Sequence, residues 1–508
     1  MPFTSQISPT ACGDWGRLYF SPNSAGYLDG AIVEYGVHAV EINTTNRITI
    51  ANSTLRHNCH KPAAGDAWGA GLAIHAGTHL VTNTIIHDNQ VEAGIGGNWA
   101  QGGGVEIKPL AGPTVFENCE VYLNVAGNLQ SGKDAAGGGL NVQWTDPILR
   151  NCEVYSNSVY AETGRVFGGG VYLGESSAVI EAGTRIHGNT ATSAWYGPAY
   201  GGGVCIGEAG MPVSPRPVIR DSQVTSNTAT TGPGSTLGIF YGGGIAFYDN
   251  SSTRAIVSGT LIAGNVALNN LNASGFVCGG GIGMASGASA DRFAGNLIRD
   301  NSTGNSGGLV LGGGICLLST NDVTATNNLI LGNEAFMGPA RGGGVYADGP
   351  RSYLVNNTIV NNSTIGEGGG VYLANGVLSN TLVVDNYAYL DGGGVYWAGG
   401  SAGYNDVWGN TFDSQIDPLE DVGNYAAGGS PRPATDVYTD PLFIGSGDPA
   451  TRYHLRLNSP CIDAGTSMGL VPGQDYDGDP RPRGSRHDIG FDEVRVRRTY
   501  LPLALRSY

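Results

Sequence analysis

Five polar side chains of this sequence fall where they could act together: His75, Glu106, Lys108, Asn141 and Gln143. Each occupies an alternate position in the short segment after a glycine triplet, or, for His75, after the degenerate Gly69-Ala-Gly71. Imidazole or amine could abstract a proton, and a polar neighbour or bound ion could stabilise the resulting anion. Trp68 and Trp99 stand just before the same glycines, where an indole could stack on a sugar ring. The opposing reading is a polar strand face with an ion pair between Glu106 and Lys108, since constellations outside a recognised motif are more often architectural. The catalytic candidates are therefore His75, Glu106 and Lys108, and the binding candidates Trp68, Trp99, Asn141 and Gln143.

The elements that must position these residues are legible from a repeat. Gly-Gly-Gly followed by an apolar residue starts at Gly102, Gly137, Gly168, Gly201, Gly242, Gly279, Gly312, Gly342, Gly368 and Gly392, with starts 24 to 41 residues apart. In phase with it runs an apolar residue followed three positions later by asparagine, at Asn58, Asn89, Asn124, Asn157, Asn189, Asn227, Asn265, Asn301, Asn333, Asn362, Asn386 and Asn410. Units this short cannot bury an apolar face singly and must stack. After each triplet the side chains alternate, as in Val105 and Ile107 or Val371 and Leu373, so the apolar ones face a core. No segment has a sustained helical period. The expected fold is an all-β right-handed parallel β-helix of about twelve coils, roughly 55–60 Å long at about 4.8 Å per coil. Asparagine in each turn could serve only the turn. Twelve in register predict an amide ladder as well.

Expected boundaries are an N-terminal cap at 1–29, the β-helix at 30–410, a C-terminal module at 411–493 and a basic, apolar tail at 494–508. That tail, RVRRTYLPLALRSY from Arg495, could cover the last strand edge, pair with another molecule or act as a sorting signal.

The outward column after the triplets reads Ala73, Glu106, Asn141, Tyr172, Cys205, Ala246, Gly283, Cys316, Tyr346, Tyr372, Tyr396. It holds no carboxylate pair of the kind glycoside hydrolysis uses, and its Tyr346, Tyr372 and Tyr396 form a stripe that could bind a partner. Much of the variable length enters between each ladder Asn and the next triplet. These inserts carry Trp99, Trp195, Tyr196, Tyr200, Phe240, Tyr241 and Phe276, which could line a groove or cover the rod's flank.

Composition narrows the classes further. Formal net charge is −16 and pI about 4.9, which argues against a nucleic-acid partner. No apolar run has membrane-spanning length. No leader-like basic and apolar stretch opens the chain, so the expectation is a mature or recombinant form. The glycine triplets have no helix after them and are no phosphate loop. The repeats lack the aspartates of calcium-binding rolls. Asp475, Asp477 and Asp479 have calcium-ligand character, although a solvated turn explains them equally; no other cofactor is implied. Of eight cysteines, Cys119 and Cys152 could bond or simply fill one core column, Cys12 and Cys59 could staple the N-terminal end, and Cys205 and Cys316 are three coils apart, too far to bond.

The paired GGG[VIL] and [ILV]-x-x-N signals resemble the GGAI and FxxN repeats of bacterial polymorphic outer-membrane proteins. Asp440-Pro-Leu-Phe443, Tyr453-His-Leu-Arg-Leu-Asn-Ser-Pro-Cys-Ile-Asp-Ala-Gly465, Asp475-Tyr-Asp-Gly-Asp-Pro-Arg-Pro-Arg483 and Asp488-Ile-Gly-Phe-Asp-Glu493 resemble the choice-of-anchor Q module that closes secreted bacterial β-helix proteins. The resemblance implies a secreted or surface-displayed bacterial product and no particular reaction. Two functions follow as expectations. One is a non-catalytic, adhesin-like structural protein that binds glycan or matrix components, or associates with itself. The other is a polysaccharide lyase or glycoside hydrolase working at the N-terminal coils.

Overall fold

A computed structural model describes residues 2–4, 11–195, 197–207, 215–231, 239–248, 254–269, 275–285, 287–288, 290–318, 321–413, 423–426 and 432–495. Tyr196 and nearly all of the tail lie outside them. The glycine and asparagine signals mark two of the corners of each coil. One coil runs Val105–Ala111, Val115–Glu117, Glu120–Tyr122, Val125–Asn128, Asp134–Ala136. Stacking coils in parallel register builds, among the described residues, five sheets of 13, 13, 14, 12 and 9 strands, here called first to fifth in that order. The chain is a parallel β-helix.

The first three sheets enclose the main core of Val, Ile, Leu and Phe, including Ile42, Leu72, Val105, Phe116, Val154 and Ile298. The fourth and fifth form a lateral fin. Its own core is nearly all small, with Ala67, Ala100, Ala126, Ala135, Val159 and Ala191, which lets its two sheets lie close.

The asparagines form the predicted ladder. Each Nδ2 donates to the next coil's Oδ1 at 2.8–3.0 Å from Asn58 to Asn410, and Asn410 continues the series to Asn424. The left-handed turn conformation is carried by the residue before each asparagine, such as Asp88, Leu123, Ser156 and Asp385, so the amide itself points inward. In the triplet at 102, Gly102 has φ +63°, and a Cβ there would meet Val105 O at 2.4 Å; one on Gly104 would meet Gly139 O and the Asn124 amide. The triplet is thus a sharp corner packed against both the next coil and the ladder.

The sheets begin before residue 30. Leu18–Phe20 opens the first sheet, Gly26–Asp29 the second and Pro2–Phe3 the third. Cys12 and Cys59 are disulfide-bonded, Cα atoms 5.2 Å apart. Cys119 and Cys152 stay free, their thiols on the carbonyls of Val81 and Phe116. Cys316 bonds Cys278 instead, a partner 38 residues earlier on the fifth sheet. At the C-terminal end the chain crosses to the outer face of the third sheet, where Leu455, Cys461, Ile489 and Phe491 cover Leu329, Val360, Leu382 and Val384.

Candidate functional site

The fin decides what the outward column of the first sheet can do. Trp68, Phe167, Tyr200 and Cys278 of the fifth sheet project away from the fin's small core, toward the first sheet. The glycine corner folds the two sheets into a notch, and the outward column lines its floor. The register is as expected along the whole column, from Ala73 beside Glu106 and Glu106 beside Asn141 to Tyr372 beside Tyr396. What changes is exposure. Glu106, Asn141, Tyr172, Cys205, Ala246 and Cys316 are all buried. The expectation of an open strand face is corrected: the inserts fold back over it as the fifth sheet.

The middle of the notch is closed. Phe167 packs on Tyr172 and Tyr248, Tyr200 on Tyr248 and Tyr241. Arg165 bridges Asp134 and the Tyr248 hydroxyl at 2.7 and 2.8 Å. The Cys278–Cys316 disulfide ties one wall to the other. Further along, Tyr346, Tyr372 and Tyr396 do form a stacked stripe, with centroids 5.4 and 4.8 Å apart. Tyr346 and Tyr372 are only 5% and 6% exposed, and Arg341 lies 5.0 Å over Tyr372. The expected binding stripe is therefore largely packing. Trp99 is turned toward this closed stretch, 6.1 Å from Phe167. Gln143 is half-buried beside Gly174.

The N-terminal end of the notch is built differently. Trp68 is its centre. His38 stacks on it at 4.4 Å, His60 and His75 meet it edgewise at 5.1 and 5.0 Å, and Lys108 Nζ lies 5.4 Å over it. Lys108 Nζ also stands 3.0 Å from Glu106 Oε1, while Asn141 Nδ2 donates to Glu106 Oε2 at 2.8 Å. His75 sits where the strand register shifts, opposite Lys108 and Pro109; proline supplies no N–H to the ladder, and such a bulge re-aims side chains. His75, Glu106, Lys108, Asn141 and Trp68 are thus brought together.

The structure adds a carboxylate the sequence reading excluded. Glu41 lies in the same column, beside Ala73 on one side and Tyr19 on the other. Arg17 Nε is 2.6 Å from its Oε2 and His75 Nε2 is 3.4 Å from its Oε1. Glu41 and Glu106 are two coils apart, about 9–10 Å at strand spacing. No glycine triplet precedes Glu41, so the repeat gave no register for it. Its one signal was the alternation Val40-Glu41-Ile42, a copy of Leu72-Ala73-Ile74.

The two carboxyls titrate apart. Burial pushes Glu106 up, against the pull of Lys108 and Asn141. Burial would raise Glu41 too, but His75 and Arg17 outweigh it and hold the carboxyl below its usual range. Burial also lowers His38 to about 4 and lowers His60, so both imidazoles are neutral at pH 7. Glu41 Oε2, His75 Nε2, Glu106 Oε1 and Asn141 Oδ1 are buried and make no hydrogen bond, although the first three stand in the ion pairs just described. Buried polar atoms left with ion-pair contacts only, or with none as at Asn141 Oδ1, keep hydrogen-bonding capacity that a polyhydroxylated ligand could use.

The metal candidates resolve otherwise. Asp475 accepts backbone N–H groups from Asp477, Asp479 and Glu493, so it organises its turn. Asp479 is held by Arg483 at 2.6 Å. Of the three, Asp477 instead faces His454, 3.3 Å from its Nε2.

The sequence matches the model of a family described as right handed beta helix region, over residues 18–275 and 240–412. None of the curated proteins matches it. The chain belongs to the right-handed β-helix family, a kind of protein found among both enzymes and adhesins.

Proposed function

We propose that this protein is an extracellular or cell-surface β-helix protein that holds a glycan at the N-terminal end of its notch. One observation carries the reading. Buried polar atoms of Glu41, His75, Glu106 and Asn141 make no hydrogen bond, and His75 and Lys108 link them to the Trp68 indole, in a stretch of the notch lined by charged and polar side chains rather than closed by tyrosines and a disulfide. Sugars are bound by that combination of hydroxyl-satisfying polar groups and an aromatic surface. Two disulfides fit an oxidising compartment. Among the described residues no helix is long and apolar enough to cross a membrane. Surface attachment through the C-terminal module, an adhesin-like role and self-association belong to the same proposal.

The test is a panel of neutral and uronic-acid polysaccharides, followed by calorimetric titration of whichever binds. Trp68→Ala should weaken binding at least tenfold, about 1.4 kcal/mol, and Tyr372→Phe should not change it. Binding indifferent to Trp68→Ala, or no binding across the panel, sinks the reading.

The Glu41–Glu106 pair favours a second reading, glycoside hydrolysis. A carboxyl pushed up by burial, in the same column as one that His75 and Arg17 hold below its usual range, is the kind of division that separates an acid from a base or nucleophile. Release of reducing ends that is lost in Glu106→Gln and Glu41→Gln, with binding retained, supports it. Binding without any new ends leaves the glycan-binding reading standing alone.

A further inference from the structure

The C-terminal module contains a constellation unconnected with the notch. Among the described residues, His454, Asp477 and Asp492 are the one group of three whose ligand-type atoms lie within 4.8 Å of one another. They come from three segments: the strip after the single helical turn Pro449–Arg452, the turn organised by Asp475, and the stretch that ends the module. His454 Nε2 is 3.3 Å from Asp477 Oδ2, and His454 Nδ1 is 4.0 Å from Asp492 Oδ1.

Two other histidine–carboxylate pairs of the described residues are closed, and a third, His75 with Glu41 at 3.4 Å, stands open in the candidate ligand site of the notch. His87 meets Asp88 at 2.6 Å and His187 meets Glu153 at 2.7 Å, both hydrogen-bonded. A charge-assisted pair closes to that range when nothing holds it open. His454 closes on neither neighbour, and its Nε2 is buried without a hydrogen bond. Donor atoms each about 2.1 Å from one ion stand about 3.0–3.4 Å apart. The surroundings fix two of the donors. Leu455 N–H holds Asp492 through Oδ2, leaving Oδ1 toward His454, and the ring of His454 rests edgewise on Phe491 at 5.4 Å. Such support orients a ligand rather than competing with it.

We infer that His454, Asp477 and Asp492 bind a divalent transition-metal ion of the zinc class, with its remaining positions open to water. One imidazole with two carboxylates suits such an ion. Calcium takes six to eight oxygens, which two carboxylates beside an imidazole do not supply. The ion ties the Asp475–Asp479 turn to the strip that covers the third sheet.

The test uses the full chain without an affinity tag, stripped with EDTA and dialysed, then titrated calorimetrically with zinc and separately with calcium. One equivalent of zinc should bind, with a Kd of about 10 μM or below. His454→Ala should abolish it, Asp477→Asn should weaken it at least tenfold, and Asp479→Asn should leave it unchanged. Asp477 is half-exposed, so its variant keeps the fold and decides the matter if His454→Ala does not fold. Absence of zinc binding, preference for calcium, or uptake unaltered by Asp477→Asn overturns the inference.

Discussion

The N-terminal notch and the C-terminal seam both bury carboxyl groups, and they treat them in opposite ways. In the seam the acceptors are taken up by the fold itself. Asp488 accepts from the backbone of Asp463 and Val494, and Asp475 from three N–H groups. Glu493 accepts from Arg481, from the backbone of Asp488 and from that of Arg483. In the notch, Glu106 and Glu41 each keep a buried oxygen without a hydrogen bond. Buried charge that is fully bonded specifies architecture. Buried charge left partly unbonded costs stability, and such local conflict is where function is usually found.

The sharpest way to break this contrast is to remove one seam partner. Arg481 and Glu493 form an ion pair at 2.8 Å with both side chains fully buried. Glu493→Gln should leave Arg481 charged and without its ion-pair partner, at about 3–5 kcal/mol. Calorimetry should then show the module melting well before the rod. A variant melting with the wild type would mean that the module's grip does not depend on this pair.

A smaller effect comes from pH. Burial raises Asp406 and Asp488 to about 7, and raises Asp436, Asp475 and Asp492 as well. Cys461 Sγ donates to Asp406 at 3.0 Å and pulls the other way without prevailing. The folded module binds protons more tightly than the unfolded chain, whose aspartates titrate near 3.9. Its stability is therefore complete below about pH 4 and falls as pH rises through about 7, by up to a few kcal/mol. The melting temperature of the module should rise between pH 8 and pH 5. A flat or falling profile contradicts the burial of these groups.

What the sequence disclosed, and what it hid, follows the same division. Gly102 and Asn124 announced themselves because stacking admits no Cβ at the one and requires an amide at the other. Repetition made both visible. The fin was hidden because its core is alanine and its strands are two to four residues, as at Val166–Phe167, too short for a periodic signal. Missing the fin made the outward column look open, and Tyr346 and Tyr372 look available. Glu41, His38 and His60 were missed because they precede the first triplet. Cys278 and Cys316 were not paired because one stands before a triplet and the other after it, in coils whose fold-back the repeat does not encode.

The smallest expected effect discriminates best between the two ends. Glu106→Gln is the same substitution as Glu493→Gln and is made at an equally buried side chain. The amide keeps an oxygen for Asn141 Nδ2 and removes the charge that burial penalises. Lys108 loses its partner, but its side chain is 24% exposed and its ammonium can turn to solvent, unlike that of Arg481. The variant should fall within about 1 kcal/mol of wild type, on either side, in chemical denaturation near pH 7. At the same time it should alter whatever the notch binds. A cost at Glu106 as large as that at Glu493 would make this carboxyl architectural, and the case for a ligand at the N-terminal notch would lose its main support.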